Sequence, residues 1–190
     1  MFLIINYKML NLFIGPMFSG KTTTLLSRLE RYKIGGKKCI VIKYDQDNRY
    51  DTNMVCTHSK YKHEAINTNL LSKLDDLVKL YDVILIDEVQ FYSDAAFMCD
   101  KWADNKIVEC YGLNGDYKRE PFEQISLMIP LCDNITHLTA IDKNTGDEAP
   151  FTFRLTKDEE QEVIGGEDKY IALSRQSFKK YSQIMANKEY

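Results

Sequence analysis

Gly15, Gly20, Lys21 and Thr22 stand at the spacing Gly-x-x-x-x-Gly-Lys-Thr, with Pro16, Met17, Phe18 and Ser19 between the glycines. In such a loop the glycines let backbone N–H groups close around phosphate oxygens, and the helix that follows turns its positive end to the same charge. Lys21 is then placed to reach β- and γ-phosphates, and the Thr22 hydroxyl to ligate Mg²⁺. A second set of oxygens follows Val83, Ile84, Leu85 and Ile86, where the apolar run ends in Asp87 and Glu88. Carboxylates leaving a buried strand at its carboxyl end belong beside a phosphate loop if the two strands are neighbours. Asp87 would hold Mg²⁺ through water, and Glu88 would stand one residue further into the cleft. A chance match in a surface turn is the plain alternative for either motif alone. The presence of both in one chain favours a nucleoside-triphosphate site.

These residues need a scaffold, and the flanking sequence supplies one. A short apolar strand precedes the loop, and Leu25, Leu26 and Leu29 recur after it with helical spacing up to the paired glycines Gly35 and Gly36. Residues 39–43 form a near-continuous β-branched run, as a parallel strand covered on both faces requires, so the segment reads as a βαβ unit. Residues 44–50 leave that strand as a polar loop, either a ligand loop beyond the strand ends or plain solvated surface. His58 and His63 lie in a polar stretch without ligand partners at helical spacing, and read as surface residues. Leucines at 70, 71, 74 and 77 predict an amphipathic helix over residues 70–80 that covers the sheet. A helix is expected over 95–104, a strand over 106–111, a glycine-bearing loop over 112–117 on the ligand side, and apolar helical packing over 122–131. Near Asp142 the composition shifts to turn formers, and residues 151–155 alternate like an exposed strand, which suggests a hairpin appendage. Residues 157–162 are charged and loop-like, 163–166 return toward order, and 174–186 predict a closing helix.

With 190 residues, 44% hydrophobic and 28% charged, the chain has the size and balance of an ordinary globular protein with a substantial core. A net charge of -3 gives no general attraction to nucleic acid or to an anionic membrane. Five widely spaced cysteines, never in a C-x-x-C pair, suggest neither a disulfide framework nor a thiolate metal site, and fit a reducing compartment. The apolar start, Met1 to Ile5, is too short for a signal segment or a membrane span, so the expectation is a cytoplasmic protein. Met9 offers an alternative start.

The chain resembles the type II thymidine kinases, small P-loop kinases. The likeness rests on residues 15–22, on Lys43 and Tyr44 followed by Asp47, Asn48, Arg49 and Tyr50, on residues 87–91, on Gly112 to Gly115 with Pro121 and Phe122, and on residues 163–170. It implies an α/β fold of the P-loop NTPase type (RecA-like), a parallel sheet flanked by helices with a small C-terminal lasso or hairpin appendage. The corresponding division is an N-terminal extension 1–8, a kinase domain 9–141, and the lasso and closing helix 142–190. Implied too are transfer of the ATP γ-phosphate to the 5′-hydroxyl of thymidine or deoxyuridine with Mg²⁺, and a homo-oligomer, dimer or tetramer, with no nucleic-acid or membrane partner. Glu88 matches the family's general base, and a carboxylate near the 5′-hydroxyl has the right chemistry for it. Arg49 and Lys21 would supply charge to the transferring phosphoryl group, and residues 15–22 with Asp87 and Gln90 would bind ATP. Met17, Phe91, Leu113 and Tyr117 match the residues that enclose thymine, Asp47 the sugar and phosphoryl region, the backbone of Val163 and Ile164 the base edge, and Tyr170 the sugar.

One departure stands out. Where zinc-binding members have two C-x-x-C pairs, this chain has Asp142, Thr145, Ser174 and Ser177, a poor tetrahedral zinc set, so no zinc site is expected. Two other classes compete with a kinase. A motor or helicase ATPase also ends its second strand in Asp-Glu-x-Gln, but the chain is short for two lobes. A non-catalytic nucleotide-binding regulator is opposed by the intact Lys21, Thr22, Asp87 and Glu88.

Overall fold

The computed structural model describes residues 8–45, 54–56, 62–156, 158, 160, 166 and 168–187. In chain order the strands are β1 (Met9–Gly15), β2 (Cys39–Tyr44), β3 (Met54–Cys56), β4 (Lys62–Glu64), β5 (Ile66–Thr68), β6 (Val83–Ile86), β7 (Ile107–Leu113), β8 (Asn134–His137), β9 (Ala140–Ile141), β10 (Glu148–Ala149), β11 (Phe151–Arg154) and β12 (Tyr170–Leu173). The helices are α1 (Lys21–Ile34), α2 (Asp75–Val78), α3 (Ala95–Ala103), α4 (Glu123–Met128) and α5 (Arg175–Asn187).

Six strands make one sheet in the order β5-β2-β6-β7-β1-β8, and every pairing in it is parallel. Its inner strands are apolar on both faces because both are covered. On one face Leu25, Leu26 and Leu29 of α1 pack against Phe13, Val41, Val83, Leu85, Ile107 and Tyr111. The other face buries Leu10, Leu12, Ile40, Ile42, Ile84, Ile86, Val108 and Cys110 beneath residues of α3 and α4. The fold is thus the α/β architecture expected. Strand β6 does not lie next to β1, however, because β7 is inserted between them.

The α1-facing layer contains one fully buried carboxylate, Glu109. It accepts hydrogen bonds from the Arg28 guanidinium, from Tyr32 at 2.6 Å and from Tyr111 at 2.7 Å. Such partners are what make a buried charge tolerable. Burial first, and then its bond to Glu109, push the Tyr32 phenol up to about 12. The cluster locks the phosphate-loop helix to the central strand.

Several expectations need correction. Residues 66–68, where no strand is expected, form β5 on the β2 edge, and residues 62–64 pair with 54–56 as a hairpin. Residues 134–137, which carried no strand signal, form the opposite edge. The helix expected over 70–80 is broken into a 3₁₀ turn, Leu71–Leu74, and the four-residue α2. Its start is set by Asp94, whose carboxylate accepts from the N–H groups of Leu71 at 3.0 Å and Ser72 at 2.8 Å. Gly112 and Leu113 belong to β7 rather than to a loop. Finally, β11 is not exposed: Thr152, Phe153 and Arg154 are all buried. Its two apolar residues, Phe151 and Phe153, pack on Phe178 of α5, and β12 pairs with it antiparallel.

Candidate active site

All six sheet strands point their carboxyl ends the same way, and Lys21, Thr22, Asp87, Glu88 and Gln90 gather at those ends, as ligands do in open α/β sheets. The loop between β1 and α1 is built by close backbone approach. A Cβ at Gly15 would meet the Leu138 carbonyl oxygen at 2.5 Å and the Ser19 hydroxyl at 2.6 Å, and Gly20 turns into α1 at φ 79°, where only glycine is unstrained. Phe18 takes φ 65° as well and packs beside Ala140, Ala149 and Ala172. A non-glycine residue holds this conformation only when its surroundings over-determine it. Ser19 donates to the Pro16 carbonyl at 2.8 Å, and Met17 N–H donates to the Thr152 hydroxyl of β11 at 3.0 Å.

Lys21 is buried, and its ammonium donates to the carbonyls of Gly15 at 3.1 Å and Pro16 at 2.7 Å. This holds it at the mouth of the loop. Thr22, one residue on, brings its hydroxyl within 3.4 Å of Asp87 Oδ2. The two oxygens expected to serve Mg²⁺ therefore meet across the intervening β7. A hydroxyl and a carboxylate at a helix N-terminus form a hard donor set, which suits Mg²⁺ bound partly through water and phosphate.

Glu88 follows at φ 51°, ψ 46°, a left-handed conformation uncommon for a residue with a side chain. It turns the chain out of β6, so that consecutive carboxylates serve different places. Glu88 Oε2 accepts from Gln90 Nε2 at 2.7 Å, and Gln90 Oε1 accepts from Leu113 N–H at 3.1 Å. Gln90, expected at the phosphates, thus has its amide spanned between the end of β7 and Glu88. Gly112 makes room for it, since a Cβ there would meet Gln90 Oε1 at 2.8 Å. The sequence marks Gln90 as polar beside Asp87 and Glu88, but it does not say which way the amide faces.

Phe91 stacks edge-on with Phe122, at 6.3 Å between centroids, and tilts against Tyr44 at 5.4 Å. Leu113 lies at the end of β7, and Asn114 N–H donates to the Gly15 carbonyl at 3.3 Å, bringing that strand end to the phosphate loop. Beyond it the loop is wound around Asp116, whose carboxylate accepts from Lys118 and Glu120 N–H, each at 2.8 Å. Tyr117 is presented from this loop with the Arg154 guanidinium 3.7 Å from its ring centroid. Tyr170 is buried opposite Arg154 in the β11–β12 register. Two residues went unnoticed in the sequence: Thr152, which holds Met17, and Arg154. Their only signal is that they are the polar members of Phe151-Thr152-Phe153-Arg154. Asp47, Arg49, Val163 and Ile164 lie outside the described residues.

The side chain of Asp142, one of the four oxygen-bearing residues in the poor zinc set of the sequence, is inaccessible to solvent. Its carboxylate accepts from the backbone N–H groups of Ser174 at 3.0 Å and Asn144 at 2.9 Å, and from the Asn144 amide at 3.0 Å. Burial alone would push this carboxyl up. Bonds from the Ser177 hydroxyl, from the backbone of Ser174 and Asn144 and from the Ser174 hydroxyl outweigh it and hold the group below the ordinary carboxylate range. One carboxylate thereby joins the β9–β10 turn to the start of α5.

Comparison with known proteins bears on the family. A family model described as thymidine kinase matches residues 8–178. Thymidine kinases of raccoon poxvirus and rabbit fibroma virus (strain Kasza) are 44% and 41% identical over 170 residues, spanning 89% of this chain and 96% and 95% of theirs. That of vaccinia virus (strain Western Reserve) is 41% identical over the same length, with 96% of its chain covered. Among solved structures, a DNA replication initiation factor aligns with 73% of this chain and 42% of its own at a TM-score of 0.42 and 15% identity, too slight a likeness to bear on function.

Proposed function

The chain belongs to the thymidine kinase family and phosphorylates thymidine with ATP, and we propose that it does so with Glu88 as the proton acceptor at the nucleoside 5′-hydroxyl. The observation that carries this reading is the Leu113–Gln90–Glu88 chain of hydrogen bonds. It holds one carboxylate at the strand ends, one residue beyond the Asp87–Thr22 contact. In the step proposed, the 5′-oxygen forms a bond to the γ-phosphorus as the bond to the ADP oxygen breaks, and the hydroxyl proton passes to Glu88.

Lys21 and the backbone of residues 15–20 cradle the β- and γ-phosphates, and Arg49 adds charge at the transferring group, where electrostatic stabilisation supplies most of the catalysis. Thr22, and Asp87 through water, would hold Mg²⁺, which would neutralise phosphate charge. Met17, Phe91, Leu113 and Tyr117 form the walls for thymine. The backbone of Val163 and Ile164 meets the base edge, and Asp47 and Tyr170 meet the sugar side. Deoxyuridine, lacking only the methyl group, is accepted more weakly, since one methyl in an apolar slot is worth about 1–3 kcal/mol. Asp142 takes the place of a zinc clip, so the enzyme needs Mg²⁺ and no zinc.

We also assign a homo-oligomeric, cytoplasmic enzyme without a nucleic-acid or membrane partner. The exposed Phe97, Leu127 and Ile129 support self-association, the net charge of -3 opposes polyanion binding, and no helix among the described residues is long and apolar enough to cross a membrane. Light scattering at micromolar concentration should give a dimer or a tetramer, and a monomer would remove that assignment.

A nucleoside panel with ATP and Mg²⁺ tests the reading. ADP release should require thymidine or deoxyuridine and match the monophosphate formed. ATP hydrolysis stimulated by single-stranded DNA would point to a motor, and nucleotide binding without turnover to a regulator.

A further inference from the structure

We propose that Arg154 is a positioning residue for the nucleoside, setting Tyr117 and Tyr170 together and holding the backbone at Asp158 and Glu160. The proposal deepens the reading given above and rests on those tyrosines being nucleoside contacts. Arg154 is 3% exposed, and its guanidinium is spent on neighbours. Nε donates to the Tyr170 hydroxyl at 3.1 Å and Nη2 to the same oxygen at 2.8 Å. Nη1 donates to the carbonyls of Asp158 at 2.8 Å and Glu160 at 2.5 Å. One face of the plane lies 3.7 Å from the Tyr117 ring centroid. A planar fork with five fixed donors can hold a phenol oxygen and two carbonyls while stacking on a ring, whereas a lysine ammonium cannot.

Its donors are thus turned to protein oxygens, and its part is to set geometry rather than to bind phosphate. The phenol oxygen of Tyr170 accepts from two guanidinium nitrogens, which fixes where that hydroxyl stands. The segment after β11 is tied at residues 158 and 160, with Leu155 N–H bonded to the Lys169 carbonyl at 2.8 Å. Two residues earlier on the same strand, Thr152 holds the phosphate loop at Met17. The buried polar face of β11 therefore sets both ends of the site, with Arg154 on the nucleoside side.

Steady-state kinetics of Arg154→Gln, Arg154→Lys, Tyr170→Phe and Tyr117→Ala, with thymidine and ATP varied separately, test this. Both Arg154 variants should raise the thymidine KM about 10-fold or more while leaving the ATP KM within about twofold, since misplaced contacts are costly and the phosphate cradle is built elsewhere. Failure of lysine to rescue would show that the fork and not the charge is used. Equal rises in both KM values, or rescue by lysine, would overturn the proposal. So would an unchanged thymidine KM in the Arg154 variants when Tyr117→Ala raises it. If Tyr117→Ala and Tyr170→Phe also leave the thymidine KM unchanged, the nucleoside assignment fails first, and the proposal with it. Should the Arg154 variants not fold, Tyr170→Phe decides: a rise confined to thymidine supports the proposal, and no rise contradicts it.

Discussion

At the phosphate end, Thr22 and Asp87 meet because β1, β7 and β6 are held in register by parallel backbone bonds, and the loop turns where glycines permit. The nucleoside end is assembled differently. Tyr117 and Tyr170 are set by the Arg154 guanidinium, and the strands that carry Arg154 and Tyr170 are backed by α5, whose start is joined to the β9–β10 turn by Asp142. The first end is made of backbone whose geometry follows from strand pairing. The second is made of a few side chains, each with several bonds to lose. Changes at the two ends should therefore fail in different currencies, rate at the first and local order or thymidine affinity at the second.

The largest effect is expected from Glu88→Gln, which keeps the loop but removes the proton acceptor. Turnover should fall about 10²- to 10⁴-fold with ATP affinity retained. A single-turnover rate near that of the wild type would take the role of base from Glu88. Next comes Gln90→Leu, which removes the Gln90 amide's bond to Glu88 and leaves the Leu113 N–H without its partner; kcat should drop about 10- to 100-fold, as expected when a catalytic group is misplaced by around 1 Å. Equal loss of ATP binding would instead place Gln90 at the phosphates.

How much of this was legible follows the same divide. The phosphate loop, the strands expected at 39–43, 83–86 and 106–111 and helices α1 and α3 announce themselves, because glycine spacing and apolar runs are direct consequences of the backbone they build, although the last of these strands runs on through Gly112 to Leu113. Edge strand β8 does not: all four of its residues are exposed, and it is held by β1 and by Asp133, whose carboxylate accepts from Leu10 N–H at 2.7 Å. Strand β11 shows why alternation misleads. Phe151 and Phe153 face α5, but Thr152 and Arg154 are buried too, because partners distant in sequence satisfy them. The hydrogen-bond hub at Asp142 was not legible, because it depends on Ser174 and Ser177, more than thirty residues away.

Acid should loosen the nucleoside end through Asp142. The folded Asp142 carboxyl lies below its ordinary 3.8, so its contribution is complete above that value and is lost as pH falls through the folded value. On acidification below about pH 4, wild type should lose more stability than Asp142→Asn, which has no such charge to lose. Parallel acid denaturation curves would deny the carboxylate this part. The smallest effect is expected from a strong chelator, which should leave the melting temperature of the apoprotein unchanged. Elemental analysis giving one zinc per chain would contradict this.

The division between the two ends is tested most directly by measuring kcat, the ATP KM and the thymidine KM side by side for Glu88→Gln and Asp142→Ala. Loss of the Asp142 carboxylate strands several buried donors at about 1–3 kcal/mol each. The results should cross: Glu88→Gln loses kcat with both KM values little changed, while Asp142→Ala raises the thymidine KM and leaves the ATP KM within about twofold, since the phosphate cradle rests on sheet backbone. If Asp142→Ala weakened ATP and thymidine alike, or if Glu88→Gln turned over normally, the separation of the two ends would be contradicted.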